Sequence, residues 1–180
     1  MINAQLFLVT TRNSIQKSRK LTTNIHFVGI LFVLFAFFLS PLEAADDSRV
    51  PLVIETGEGA TKVSHSVDVE LALTREARAL GLMYRKSMDS NHGMLFIFSN
   101  SRRVSFWMRN TYLPLDIIYI RSTGRIANIL HDVPPLNELP RPSEGRVIAV
   151  LELNAGEAAR RGIKAGDYVR IPKTLMRRAK

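Results

Sequence analysis

Two apolar, aromatic-rich runs lie close together near the middle of the chain and limit the folds that it can adopt. The first run is residues 93–98, and the second, residues 106–116, contains the single tryptophan, Trp107. Short runs of this kind, bounded by polar turns, are typical of buried β-strands. We therefore predict a pair of strands here that supplies most of a β core. The polar residues within the second run mark the place where we expect a binding site.

Other patterns in the chain also favour strands. Residues 63–73 alternate apolar and polar side chains with a period of two, which predicts an antiparallel strand with one solvent-facing side. Further strands are predicted at residues 51–55, 103–108, 115–121, 125–131, 146–153 and 168–171. Strands in this number, without a regular β-α alternation, predict a mainly β fold, a compact antiparallel sandwich or barrel.

Two short helices and one long loop interrupt the predicted strands. The first helix is predicted at residues 75–80, with Thr74 as its N-cap and a glycine at its end. The second is predicted at residues 155–161, with Asn154 as its N-cap. Residues 133–145 contain four of the eight prolines, so we predict a long irregular loop there.

The first 45 residues have the layout of an export signal. An unbroken apolar run of 13 residues, 27–39, follows a basic segment and precedes two alanines. Secretory signals have this order of charged, apolar and small residues, whereas a membrane-spanning helix needs about 20 apolar residues. We predict a signal peptide at residues 1–45, with an uncleaved anchor as the alternative. The protein is therefore expected to be periplasmic or secreted.

The rest of the chain is predicted to contain a linker and first strand at residues 46–60, a β domain at residues 61–172 and a basic tail at residues 173–180. The whole chain has 25 basic and 16 acidic residues, a net charge of +9. Since an exported protein rarely meets nucleic acid, we predict no nucleic-acid partner, and membrane contact only through an uncleaved N-terminal segment. The absence of cysteine excludes disulfides and thiol nucleophiles.

The chain contains, in order, the motifs GLMYR at residues 81–85, GMLF at 93–96, FWMRNT at 106–111, PLD at 114–116 and VLEL at 150–153, followed by Gly156, Gly166 and Asp167. This ordered set resembles the motifs of the domain-of-unknown-function family numbered 192. The resemblance extends over about residues 62–171 and implies a compact all-β, jelly-roll-like domain, often behind an export signal, with no established reaction or cofactor. One departure is Asn110, which separates Arg109 from Thr111 where the family pattern has a basic residue followed directly by threonine.

A ligand site is predicted beside the single tryptophan. Its ring suits stacking on apolar ligand surface, while arginine and aspartate side chains suit polar groups. Asp116 has a second interpretation, which we favour, as a buried structural carboxylate that bonds to Thr111, Arg85 or Arg109. The candidate ligand-binding residues are Arg85, Trp107, Arg109, Thr111, Asp116 and Glu152.

We therefore predict a non-catalytic binding or accessory protein of the cell envelope, whose partner is a small molecule or an envelope component. One alternative is a hydrolase or lyase that uses Asp116 and Glu152 as acid and base. Another is a copper-binding protein, because thioether and imidazole ligands suit copper(I), although methionine more often fills gaps in a core. The copper candidates are Met83, His92, Met94 and Met108.

Overall fold

The computed structural model describes residues 49–179, so the predicted signal peptide or anchor at residues 1–45 lies outside the described residues. Nine strands and three short helices form this part of the chain. No helix within it is long and apolar enough to cross a membrane. The strands are β1 Val50–Thr56, β2 Val63–Ala72, β3 His92–Arg102, β4 Ser105–Phe106, β5 Leu115–Ile120, β6 Ile126–Val133, β7 Arg141–Pro142, β8 Val147–Asn154 and β9 Tyr168–Arg170. The helices are α1 Arg75–Leu80, α2 Glu157–Arg160 and α3 Lys173–Arg178.

Seven of the strands form one curled sheet in the order β6-β5-β8-β3-β2-β1-β9, which makes a half-barrel. Its two edge strands approach each other through a bridge between Arg125 and Tyr168. The mainly β fold predicted from the sequence is confirmed. One neighbouring pair, β2 and β3, is parallel, because the chain passes through α1 and a loop before it returns to the sheet.

Both faces of the sheet are covered by apolar side chains. On β8, Ala149 and Leu151 belong to one buried cluster, which also includes Ala158 of α2 and Leu175 of α3. Val150 belongs to the other cluster. This alternation is the one that the sequence predicts for β8, since successive side chains of a strand point to opposite faces.

The two central apolar runs are not paired with each other, which corrects the prediction made from their closeness. The first run lies in β3, which extends to Arg102 and pairs with β2 and β8. The second run begins in the two-residue strand β4, which pairs with β7 in the proline-rich loop. A pattern of apolar residues marks a buried strand, but the strand's partners depend on packing elsewhere in the sheet.

The C-terminal segment also differs from the sequence prediction. Residues predicted as a basic tail form α3, in which the basic side chains of Arg177 and Arg178 are exposed. Leu175 and Ala179, four positions apart, are buried against the sheet. Leu175 within the helix, Ala179 just after it and the partly buried Met176 therefore attach this segment to the core.

Helix α1 begins as predicted, and α2 does not. The Thr74 hydroxyl oxygen accepts a hydrogen bond from the Ala77 N–H at 3.1 Å, which confirms its role as N-cap. The N-cap of α2 is Gly156 instead of Asn154. The Asn154 side-chain amide donates to the carbonyl oxygens of Met88 and Asp89, and so holds the loop before β3 against the end of β8.

Candidate functional site

A cleft of about 860 Å³ opens on the sheet face that carries Val150. Four arginines line it, and we call it the arginine cleft. Arg75 and Arg78 come from α1, where their spacing of three places both on one side of the helix. Arg102 and Arg103 come from the end of β3. Pairing of β2 with β3 brings these two pairs of arginines, distant in sequence, to one opening.

The arginines carry positive charge that is only partly compensated. Arg78 donates to the carbonyl oxygens of Leu73 and Ile97, which anchors α1 to the sheet. Burial, together with the nearby Arg102, lowers the pKa of the Arg78 guanidinium. Within residues 49–179, neither Arg75, Arg102 nor Arg103 forms an ion pair with a carboxylate. An anionic ligand is therefore the partner that this opening favours.

Aromatic side chains form the walls of the cleft. The guanidinium groups of Arg78 and Arg102 lie 5.4 and 4.7 Å from the centre of the Phe98 ring. Phe106 also lines the cleft and meets Phe96 edge to face, with ring centres 5.0 Å apart. Trp107 stands at the opening with 49% of its surface exposed. The walls thus present apolar surface directly beside the cationic groups.

Among the described residues, Glu152 is the one acidic side chain that lines the cleft, and it lies at the deep end. On β8 it lies opposite Met94 of β3 and Ile117 of β5, and it is 5% exposed. Among the described residues, nothing forms a hydrogen bond with its carboxyl group. Burial raises the pKa of Glu152 to about 8. Burial therefore favours the neutral, protonated form of this carboxyl group.

The oxygen atoms of Glu152 reach the open space of the cleft. Among residues 49–179, every side-chain nitrogen or oxygen atom that is fully buried has a hydrogen-bond partner. Because the Glu152 carboxyl group has no such partner, its oxygens are not fully buried, and the cleft is the space that this residue lines. A neutral carboxylic acid in this position is able to donate one hydrogen bond to a ligand.

The loop that carries Trp107 is held by two residues with left-handed backbone. Tyr84 has φ 65° and Asn110 has φ 53°. The Tyr84 N–H donates to the Asn110 carbonyl oxygen at 2.8 Å, and the Asn110 side-chain amide donates to the Tyr84 hydroxyl at 2.9 Å. Asparagine adopts left-handed backbone at lower cost than most residues, which gives Asn110 a structural role in this loop.

The structure brings together half of the ligand-binding residues predicted from the sequence. Trp107, Thr111 and Glu152 line the arginine cleft. Arg109 stacks over the Trp107 ring at 5.7 Å, just outside the lining. Arg85 lies elsewhere and forms a two-pronged ion pair with Glu70 of β2, with N–O distances of 2.5 Å.

Asp116 lies on the other face of the sheet, and its contacts fit the structural role that we favour for it. It is fully buried, and its two oxygens accept hydrogen bonds from the Asp132 N–H at 2.9 Å and the Ala158 N–H at 2.8 Å. Neither Thr111, Arg85 nor Arg109, the partners predicted for it, bonds to Asp116. Asp116 lies opposite Leu153, so it faces away from Glu152, and the acid–base pair proposed as an alternative is not assembled.

The predicted copper ligands are distributed between different environments. Met94 and Met108 are buried in the apolar cluster of the cleft face, and Met83 lines the cleft itself. His92 contacts Arg49 and forms an ion pair with Asp89. Residues 49–179 contain no group of three or more histidine, aspartate or glutamate side chains placed to hold a metal ion.

The four arginines of the cleft were missed in the sequence analysis, although a signal was present. Arg75 and Arg78 have the spacing that places two side chains on one helix face. Arg102 and Arg103 are adjacent in the sequence, between two aromatic-rich runs. Neither pair indicates a site by itself, because basic pairs are common on exposed surfaces.

Comparisons with known proteins agree with the fold and stop short of an activity. The model of the DUF192 family, described as "Uncharacterized ACR", matches residues 54–171. The chain is similar to a solved protein of unknown function from Novosphingobium aromaticivorans, with 41% identity over 68% of this chain and 85% of that one, and a TM-score of 0.64.

A second solved structure is from Sinorhizobium meliloti, a protein provisionally named a transcription regulator. Its identity is 42% over 67% of this chain and 92% of that one, with a TM-score of 0.63. No curated protein matches the chain.

Proposed function

The chain belongs to the DUF192 family of uncharacterised domains, and from the geometry of its cleft we propose that it is an exported binding protein for a small amphipathic anion. The observation that carries the proposal is the convergence of four arginines and several aromatic rings on one opening. Guanidinium groups bind carboxylates, sulfonates and phosphates through charge-assisted hydrogen bonds. The rings beside them would take the apolar part of the same ligand.

The size of the cleft suits a small molecule. Ligand pockets commonly have volumes of about 300–1,000 Å³ and combine apolar walls with a few placed polar groups. The arginine cleft, at about 860 Å³, falls within this range. Because the described residues 49–179 place no acid–base pair of carboxylates at the cleft, we propose binding rather than hydrolysis as its role.

We also propose that the binding takes place in the cell envelope, because residues 1–45 have the layout of a secretory signal. Protein recovered from fractionated cells should be found in the envelope or secreted fraction, with an N-terminus near residue 45 or 46. N-terminal sequencing and intact mass provide the check. Full-length protein in the cytoplasmic fraction would contradict export.

Anion binding is tested with octanesulfonate, an amphipathic anion whose charge does not change with pH. Since Trp107 is the only tryptophan and lines the cleft, its fluorescence reports occupancy directly. We expect saturable binding of octanesulfonate, and weak binding of octan-1-ol, which has the same chain without charge. Arg102→Ala or Arg103→Ala should each weaken binding by about tenfold, the loss expected for one charge-assisted hydrogen bond.

The matched control is Arg177→Ala, which removes an exposed arginine of α3 outside the cleft lining. This variant should bind octanesulfonate within about twofold of the wild type, because exposed charges at a distance are screened by salt. Equal affinities for octanesulfonate and octan-1-ol would overturn the proposal. Tighter binding of a DNA duplex than of octanesulfonate would also overturn it. DNA is compared because the Sinorhizobium meliloti protein is provisionally named a transcription regulator.

A further inference from the structure

We propose that Glu152 holds its proton and donates a hydrogen bond to the anion in the arginine cleft, so that ligand binding requires the neutral acid. This inference rests on the proposed anion site and names the group that recognises an acceptor atom of the ligand. Anions with oxygen acceptors, such as sulfonates, carboxylates and phosphates, meet the requirement. A ligand without an accessible acceptor would use the arginines and the rings alone.

The position of Glu152 carries the argument. The side chain lines the same opening as the four arginines, is 5% exposed, and has no hydrogen-bond partner among the described residues. The cleft is the space that its oxygens reach, so an acceptor atom of a bound anion would take a hydrogen bond from the neutral carboxyl group. An ionised Glu152 would instead repel the bound anion in a poorly solvated space.

Of the charged and titratable groups around Glu152, Glu152 itself is the one whose protonation state changes near neutral pH. Tyr119 of β5 has a pKa raised well above its ordinary value, chiefly by burial and also by Glu152, and its hydroxyl donates to the Arg141 carbonyl oxygen. Arginine side chains stay protonated in this pH range. The arginines that line the cleft with Glu152 are Arg75 and Arg78 of α1, Arg102 of β3, and Arg103, which follows β3 directly.

The first test is the dissociation constant of octanesulfonate at pH 6.5 and pH 9.0, measured through Trp107 fluorescence. If only the protonated protein binds, the apparent affinity falls with the protonated fraction. For a pKa of about 8, the wild type should bind about tenfold more weakly at pH 9.0. Glu152→Gln keeps an N–H donor and cannot ionise, so its affinity should be the same at both pH values.

A second variant separates hydrogen-bond donation from the mere absence of charge. Glu152→Met is similar in size and has no donor, so it should bind about tenfold more weakly than the wild type at pH 6.5, with no pH dependence. Binding of Glu152→Met as tight as that of the wild type would overturn the donor role. Thermal melts of all three proteins at both pH values confirm that they are folded.

A third measurement uses the wild type alone and does not depend on how the variants fold. Calorimetric titration at pH 9.0 in two buffers of different ionisation enthalpy should show uptake of nearly one proton per octanesulfonate bound. Binding without proton uptake, or a pH dependence that persists in Glu152→Gln, would overturn this inference and leave the anion site intact. Failure to bind octanesulfonate at pH 6.5 would instead overturn the proposed function, and this inference with it.

Discussion

Replacing Asp116 with alanine is expected to lower the free energy of unfolding by about 3 kcal/mol, measured by urea denaturation. The carboxylate is fully buried and joins three elements, since it lies in β5 and accepts from the Asp132 N–H in β6 and the Ala158 N–H in α2. Ala158 is itself fully buried, so its N–H would lose its partner without gaining water. Asp132 has left-handed backbone, φ 50°, which this bond helps to hold.

The control for this change is Glu138→Gln, which alters an exposed carboxylate in the proline-rich loop. It should change the free energy of unfolding by less than about 0.5 kcal/mol. Asp116→Ala should also leave the affinity for octanesulfonate unchanged, because Asp116 faces away from the arginine cleft. Unchanged stability together with lost affinity would contradict the structural role that we assign to Asp116.

Glu152→Gln is expected to become more stable relative to the wild type as the pH rises. In the folded protein, burial raises the pKa of Glu152 from its ordinary value of 4.5 to about 8. The folded protein therefore binds this proton more tightly than the unfolded chain does. The stability that this difference contributes is fully present below pH 4.5 and is lost as the pH rises through 8. Between pH 5 and pH 9, the difference in free energy of unfolding between variant and wild type should therefore grow by about 4 kcal/mol in favour of the variant.

Denaturant unfolding of both proteins across this pH range measures the effect. Because the histidines are common to both proteins, subtracting the two curves removes their contribution. Glu138→Gln, in which the altered carboxylate is exposed, should show no comparable growth between pH 5 and pH 9. A constant difference between Glu152→Gln and the wild type would mean that Glu152 is ionised in the folded protein at neutral pH. The proposed proton donor would then be absent.

The sequence by itself determined most of the local structure. Alternation of apolar residues predicted β2 and β8, and it placed Val150 and Glu152 on one face of β8, because side chains of any strand alternate between faces. The limits of α1 followed from Thr74 and Gly81. The Thr74 side chain accepts a hydrogen bond from a free N–H of the first turn, and Gly81 takes the positive φ that ends the helix. The mainly β class followed from the number of such segments.

Only the tertiary structure decided which strands are neighbours, and therefore which polar side chains meet. Backbone hydrogen bonds between strands are the same for every sequence, so the choice of partners depends on packing over the whole sheet. Pairing of β3 with both β2 and β8 assembles the arginine cleft and places Glu152 at its deep end. The pairing of β5 with β8 places Asp116 on the opposite face, where it accepts a hydrogen bond from α2.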